Sequence, residues 1–271
     1  CLSLAFFRHF PNFAPQLIKA KKNPGVVAPK FFRTLRKIFP GTVTIVSTIM
    51  TEISSSFATL EKHLSKQRLD EFVDSGDPSP NRTLARYQAN IRLCEALYPT
   101  LHIVEVVVRN HISIGVTSKK GDAWLTNSPE QWMRPEDSRK IAEATNRLRR
   151  LGKPLAPGRI IAELNFGFWT SLFDRFYERQ KEGADLWSGV IRSMFPKMAG
   201  STDKISIIRT RLNRIRDLRN RVFHYEPVWQ WSDLTIRHAD MLELIGWISP
   251  EMRSYTVDLD RFPGVYSSSQ T

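Results

Sequence analysis

From about residue 51 onward, apolar residues recur every three to four positions, the spacing that turns one face of an α-helix toward a core. Leu84, Tyr87, Ile91, Cys94 and Tyr98 make one such stripe, and the pattern predicts a helix over 82–98 that ends at Pro99. Leu101, Val104, Val108 and Ile112 make the next, predicting a helix over 100–115. Further helices are expected at 136–151, 158–182 (one long helix or a broken pair, since Gly167 in the middle is unfavourable), 203–224 and 232–248. Shorter ones are expected at 55–64, 66–75 and 185–195, and the tail 255–271 reads as irregular. Residues 117–135 read as a loop pinned by Trp124 and Trp132, and Asp77–Asn81 as a break and cap. No alternating run of useful strand length appears, so the fold class is all-α, with 50–271 read as one helical domain.

The helix over 203–224 carries a chemical anomaly. Ile205, Ile208, Leu212, Ile215 and Val222 share one stripe, Asp203 is placed as N-cap and Pro227 stops the chain soon after. At about 100° per residue, Arg219 falls inside that stripe. A guanidinium there is costly unless it meets an anion, and Glu105 is one available partner. Asn220 lies about 100° further round, and His224 sits in the last turn. Arg209, Arg211, Arg214, Arg216 and Arg221 flank them, against two acids, Asp203 and Asp217. Such a row is an ordinary solvated face, or a surface that holds phosphates.

Arg219-Asn220, three more residues and then His224 form the R-x4-6-H pattern in its four-spacer form. The surrounding segment LRNRVFHYEPVW (218–229), with GRIIAELNFGFWTSLF (158–173) and LIGWISPE (244–251), resembles bacterial Abi-like (abortive infection) proteins of the HEPN superfamily, in the same order along the chain. The resemblance runs from about Ser56 to Gly264. It implies a HEPN-like helical bundle with additional helices. It implies a metal-independent endoribonuclease acting in phage defence or as a toxin, or else a non-catalytic RNA-binding HEPN module. Arg219, Asn220 and His224 would be the catalytic residues, yielding 2′,3′-cyclic phosphate ends. Glu105, Arg109, Asn110, Arg216 and Arg221 would support them or bind RNA. RNA and a second copy of the chain are the implied partners, with an antitoxin where the protein belongs to a toxin–antitoxin pair.

The bland readings stand beside these. Glu105 and Arg109 are spaced as an i,i+4 surface pair, and His224 is an ordinary residue for a helix C-terminus. Phe166, Phe168, Trp169 and Phe173 have the density of a core rather than of a base-stacking platform.

Composition narrows the classes. Cys1 and Cys94 make no disulfide framework, and no cysteine or histidine spacing suits a metal, so neither metal nor cofactor is expected. Phosphate-loop and serine-hydrolase motifs are missing. The apolar-leaning run Ile38–Met50 is too short and too interrupted to span a bilayer, so we expect a cytoplasmic protein with no membrane partner. The formal charge of +13 is unevenly spread. Eight of the 40 Lys and Arg lie in 1–49, which has no Asp or Glu; the other 32 stand against all 27 acids, a net of +5. Residues 1–49 also differ in their proline and phenylalanine content. We expect them to be disordered or to be translated upstream sequence outside the native protein; a targeting segment and a basic RNA-binding arm are the alternatives.

Overall fold

The computed structural model describes residues 57–127, 129–178, 185–200 and 204–269; the segment 1–49 and the cap position Asp203 lie outside the described residues. Every regular element among them is helical: α1 (57–64), α2 (Lys66–Asp70), α3 (Pro80–Lys120), α4 (Pro135–Arg150), α5 (Pro157–Glu163), α6 (Phe166–Ser171), α7 (Ile191–Met194), α8 (Lys204–Phe223), α9 (Leu234–Ile248), α10 (Pro250–Leu259) and α11 (Phe262–Ser269). Two short 3₁₀ turns, Pro129–Gln131 and Arg175–Glu178, join them, and an isolated β-bridge links Asp74 to Asp77 within a turn. The fold is all-α.

The chain divides into two compact units at Ala85/Arg86, inside the first turns of α3. In the first, α2 starts at Ser65, whose hydroxyl accepts from Arg68 N at 3.2 Å, and Leu69 and Phe72 are buried. The second, Arg86–Thr271, holds the large core and every candidate site residue.

Two expectations fail in α3. The helix does not end at Pro99 but runs through it as one 41-residue element. A proline inside a helix forfeits one backbone hydrogen bond, at a cost of about 3 kcal/mol. Leu97, Leu101, Val104 and Val108, on either side of it, are fully buried, and their burial offsets that cost. Running the helix straight through also changes which face is inside. The buried stripe is Leu93, Leu97, Leu101, Val104, Val108 and Ile112. Ile91 and Tyr98, expected to point inward, lie about 100° round from it and are half exposed.

α8 packs on α9 and on α6, and α9 packs on α10. Its inward residues are Ile208, Leu212, Ile215, Leu218 and Val222. The segment 158–182, expected as one long helix or a broken pair, is α5, α6 and a 3₁₀ turn over its described residues. The break falls at Leu164 and Asn165 rather than at Gly167, because the Asn165 side chain caps α6 by accepting from Phe168 N at 2.9 Å. Phe166, Phe168, Trp169 and Phe173 are buried core, leaving none of them free to stack on a base. Of the helix expected at 185–195, only Ile191–Met194 is helical. Gly115 lets α7 approach α3, since a Cβ there would meet Met194 Sδ at 2.2 Å.

The C-terminal tail is helical, contrary to expectation. Ser249 accepts from Met252 N at 3.1 Å and Pro250 occupies the first turn, so Pro250 both ends α9 and opens α10. α11 is anchored by Phe262, whose ring stacks on the buried His238 at 4.5 Å.

Candidate functional site

α3 and α8 bring Glu105 and Arg219 together. Arg219 Nε donates to Glu105 Oε2 at 3.2 Å, with the two side chains 26% and 23% exposed. The guanidinium predicted to need an anion inside an apolar stripe therefore has one, contributed from 114 residues earlier in the chain. Its terminal nitrogens make no hydrogen bond to any described residue, and its plane lies over the Phe223 ring at 4.5 Å. Glu105 does not make the i,i+4 pair with Arg109 that the spacing suggested. Arg109 Nε is buried with no partner among the described residues.

His224 caps α8 and is exposed, as is Asn220, whose backbone carbonyl accepts from His224 N at 2.9 Å. The helix closes with two C-terminal bonds, Tyr225 N to Val222 O (3.2 Å) and Glu226 N to Arg221 O (2.9 Å), a Schellman arrangement. Glycine usually occupies the left-handed position of this turn; here it is Tyr225, at φ 61°. A strained backbone thus sits next to the candidate catalytic histidine.

The turn after His224 is held by a residue that sequence reasoning missed. Asn90, buried on α3, accepts from Val228 N at 2.7 Å and Trp229 N at 3.2 Å, and donates to Glu226 O at 3.4 Å. An asparagine inside an otherwise apolar helix face was the available signal, since a buried amide must find partners.

Beside Arg219 lies an unpredicted row of rings. Tyr98 is 51% and Phe223 38% exposed; their centroids are 5.9 Å apart, and Tyr98 stacks on His102 at 6.1 Å. Tyr98, His102, Glu105 and Arg109 recur at helical spacing, which would have marked one face had α3 been read as continuous.

The flanking arginines of α8 are mostly engaged within the protein. Arg209 pairs with Glu178, Arg211 with Asp240 (3.1 Å) and Glu243 (2.5 Å), and Arg214 with Asp240 (3.2 Å). Arg216 lies 3.8 Å from Asp217, and Arg221 3.2 Å from Glu226. Asn110 is exposed on α3. Burial pushes the Cys94 thiol up to about 11, which keeps it protonated and a poor nucleophile at neutral pH. Among the described residues, no three His, Cys, Asp or Glu gather as a metal-ligand set, and no helix is long and apolar enough to cross a membrane.

No known protein family, curated protein or solved structure matches the chain.

Proposed function

We propose that this chain is a metal-independent endoribonuclease of the HEPN type, of the Abi-like kind that acts in phage defence or as the toxin of a toxin–antitoxin pair. The observations that carry this reading are the Arg219–Glu105 pair at 3.2 Å and the exposure of His224, five residues further along the same segment. The motif's cation is fixed in place with its terminal donors unspent, and its imidazole is open to a ligand rather than sealed in the core.

RNA supplies the nucleophile. His224 takes the proton of the 2′-OH, the 2′-oxygen forms a bond to phosphorus, and the P–O5′ bond breaks as the leaving oxygen takes a proton from water, to which the imidazolium then returns its own. Products are a 2′,3′-cyclic phosphate and a 5′-OH, with no oxidant or reductant consumed. Arg219 binds the scissile phosphate and stabilises the charge that builds on it. Asn220 orients a phosphate oxygen or His224. Glu105 positions Arg219, and Arg109, one turn further along α3, adds positive charge to the site. Arg216 and Arg221, already close to Asp217 and Glu226, exchange these carboxylates for phosphate only at some cost, and Asn110 is exposed on α3. A homodimer that brings two motif copies face to face completes the site in this reading.

The second reading, a non-catalytic RNA-binding HEPN module, draws on the same arginine pairing, since most cations of α8 already hold protein carboxylates. Cleavage of RNA in EDTA by wild type and by His224→Ala separates the two.

A further inference from the structure

We propose that Tyr98 and Phe223 form a stacking platform for the base next to the scissile phosphate, making this face a base-binding subsite for single-stranded RNA. This rests on the RNA reading of the Arg219 site and adds a recognition element to it.

The rings form a connected row. His102 stacks on Tyr98 with an interplanar angle of 26°, Tyr98 meets Phe223 at 48°, and the Arg219 guanidinium lies over Phe223. The row therefore runs from an exposed imidazole to the cation assigned to phosphate. The two rings are contributed by different helices, α3 and α8, and meet at the surface with more than a third of each exposed. A nucleotide offers what the row lacks, a π-face for Tyr98 and Phe223 and an anion for the cation beside them.

Charge favours this occupant over an apolar protein surface. The cation beside the rings, Arg219, meets Glu105 through Nε alone and keeps its terminal nitrogens for a second acceptor. Covering this face with a protein's apolar patch would bury the terminal nitrogens of Arg219 without giving them an acceptor. A phosphate oxygen meets that need. Stacking is also tolerant of base identity, because every base has a π-face. The platform should therefore bind RNA with little sequence preference.

The test measures binding in the full chain carrying His224→Ala, so that the probe stays intact. Two fluorescein-labelled probes are compared by anisotropy: a short oligouridylate and the same sugar–phosphate chain without bases. Tyr98→Ala should weaken oligouridylate binding by roughly five-fold or more, leave the baseless chain unaffected, and be rescued by Tyr98→Trp. Phe223→Leu, which keeps the apolar bulk, should show the same selectivity for the base-bearing probe. Sedimentation should give one oligomeric state for all variants.

Unchanged oligouridylate affinity in Tyr98→Ala would overturn the platform, as would equal losses on both probes. A shift in oligomeric state would show instead that the rings face a second copy. The nuclease reading is scored separately, by cleavage with His224 intact. A chain that cleaves but ignores Tyr98→Ala loses only the platform. A chain that cleaves nothing yet needs Tyr98 to bind loses only the nuclease.

Discussion

Arg219 of α8 and Glu105 of α3 meet at 3.2 Å, each largely buried, and join the candidate motif to the long helix. Double-mutant cycles on partly exposed ion pairs give couplings of up to about 1 kcal/mol. In a double-mutant cycle with Glu105→Ala and Arg219→Ala, the coupling read from urea unfolding should be about 1 kcal/mol. Glu105→Ala should also slow RNA cleavage about ten-fold, because an unheld guanidinium meets the phosphate less often in the right geometry. Glu105→Gln, which still accepts from Arg219 Nε, should recover most of that loss. Additive stability effects within error would show that the pair does not position Arg219.

Asn90 bears on the same site from beneath. Its carboxamide satisfies two backbone donors of the turn that follows His224. Asn90→Ala leaves the buried Val228 N–H unpaired and should cost about 1–3 kcal/mol. Hydrogen exchange should rise first at residues 226–229, and cleavage should fall even at temperatures where the variant remains folded. Protection unchanged at that turn would show that Asn90 does not hold it.

Tyr225 occupies a left-handed position at φ 61°. A non-glycine residue there costs about 1 kcal/mol relative to glycine. Tyr225→Gly should therefore stabilise the protein by about that amount, read as a higher urea midpoint with an unchanged slope. A lower midpoint would mean that the exposed ring contributes more than the strain removes.

The C-terminal helices introduce acid sensitivity. His238 is buried, stacked on Phe262, with Nε2 at 2.8 Å from Asp260 Oδ2. Burial lowers its pKa, and the attraction of Asp260 does not reverse that. The unfolded chain therefore takes up the proton more readily than the folded one. Stability from this site is fully present above the ordinary imidazole value of about 6.5 and is lost as pH falls through it toward the lower folded value. Asp137 acts in the same sense further down. Burial opposes its charge, but bonds from Ser171, Tyr177, Lys140 and Arg134 hold it below the usual carboxylate range. Wild type should lose stability between pH 7.5 and 5.5, and His238→Gln should lose less over the same interval. Equal slopes for the two would show that His238 is not the sensing group.

The helical class and the extent of α8 were legible because its apolar spacing is regular and Pro227 limits it. The need of Arg219 for an anion was legible too, since a cation inside an apolar arc must find one. The path of α3 through Pro99 was not, because the proline rule is local and the burial of Leu97 and Leu101 is tertiary. That one error moved Tyr98 from the surface to the core and hid the ring row. The helices after Ile248 were missed for a different reason. Ser249-Pro250-Glu251 reads equally well as the end of one helix or the start of the next. The triple serine of α11 is a weak helix former, held by hydroxyl bonds such as Ser267 to Pro263 O at 2.9 Å. The Asp137 cluster joins residues 34 and 40 positions apart, a distance at which sequence spacing carries no information.

The nuclease assignment rests on His224, and one comparison tests it most directly. Wild type and His224→Ala, matched for folding by circular dichroism, are incubated with total RNA in EDTA, and the cleaved ends are mapped. Wild type should cleave and leave 2′,3′-cyclic phosphate and 5′-OH ends, and the variant should be slower by about 10²–10⁴. Cleavage by His224→Ala at the wild-type rate would contradict the assignment, and so would a wild type that binds RNA without cutting it.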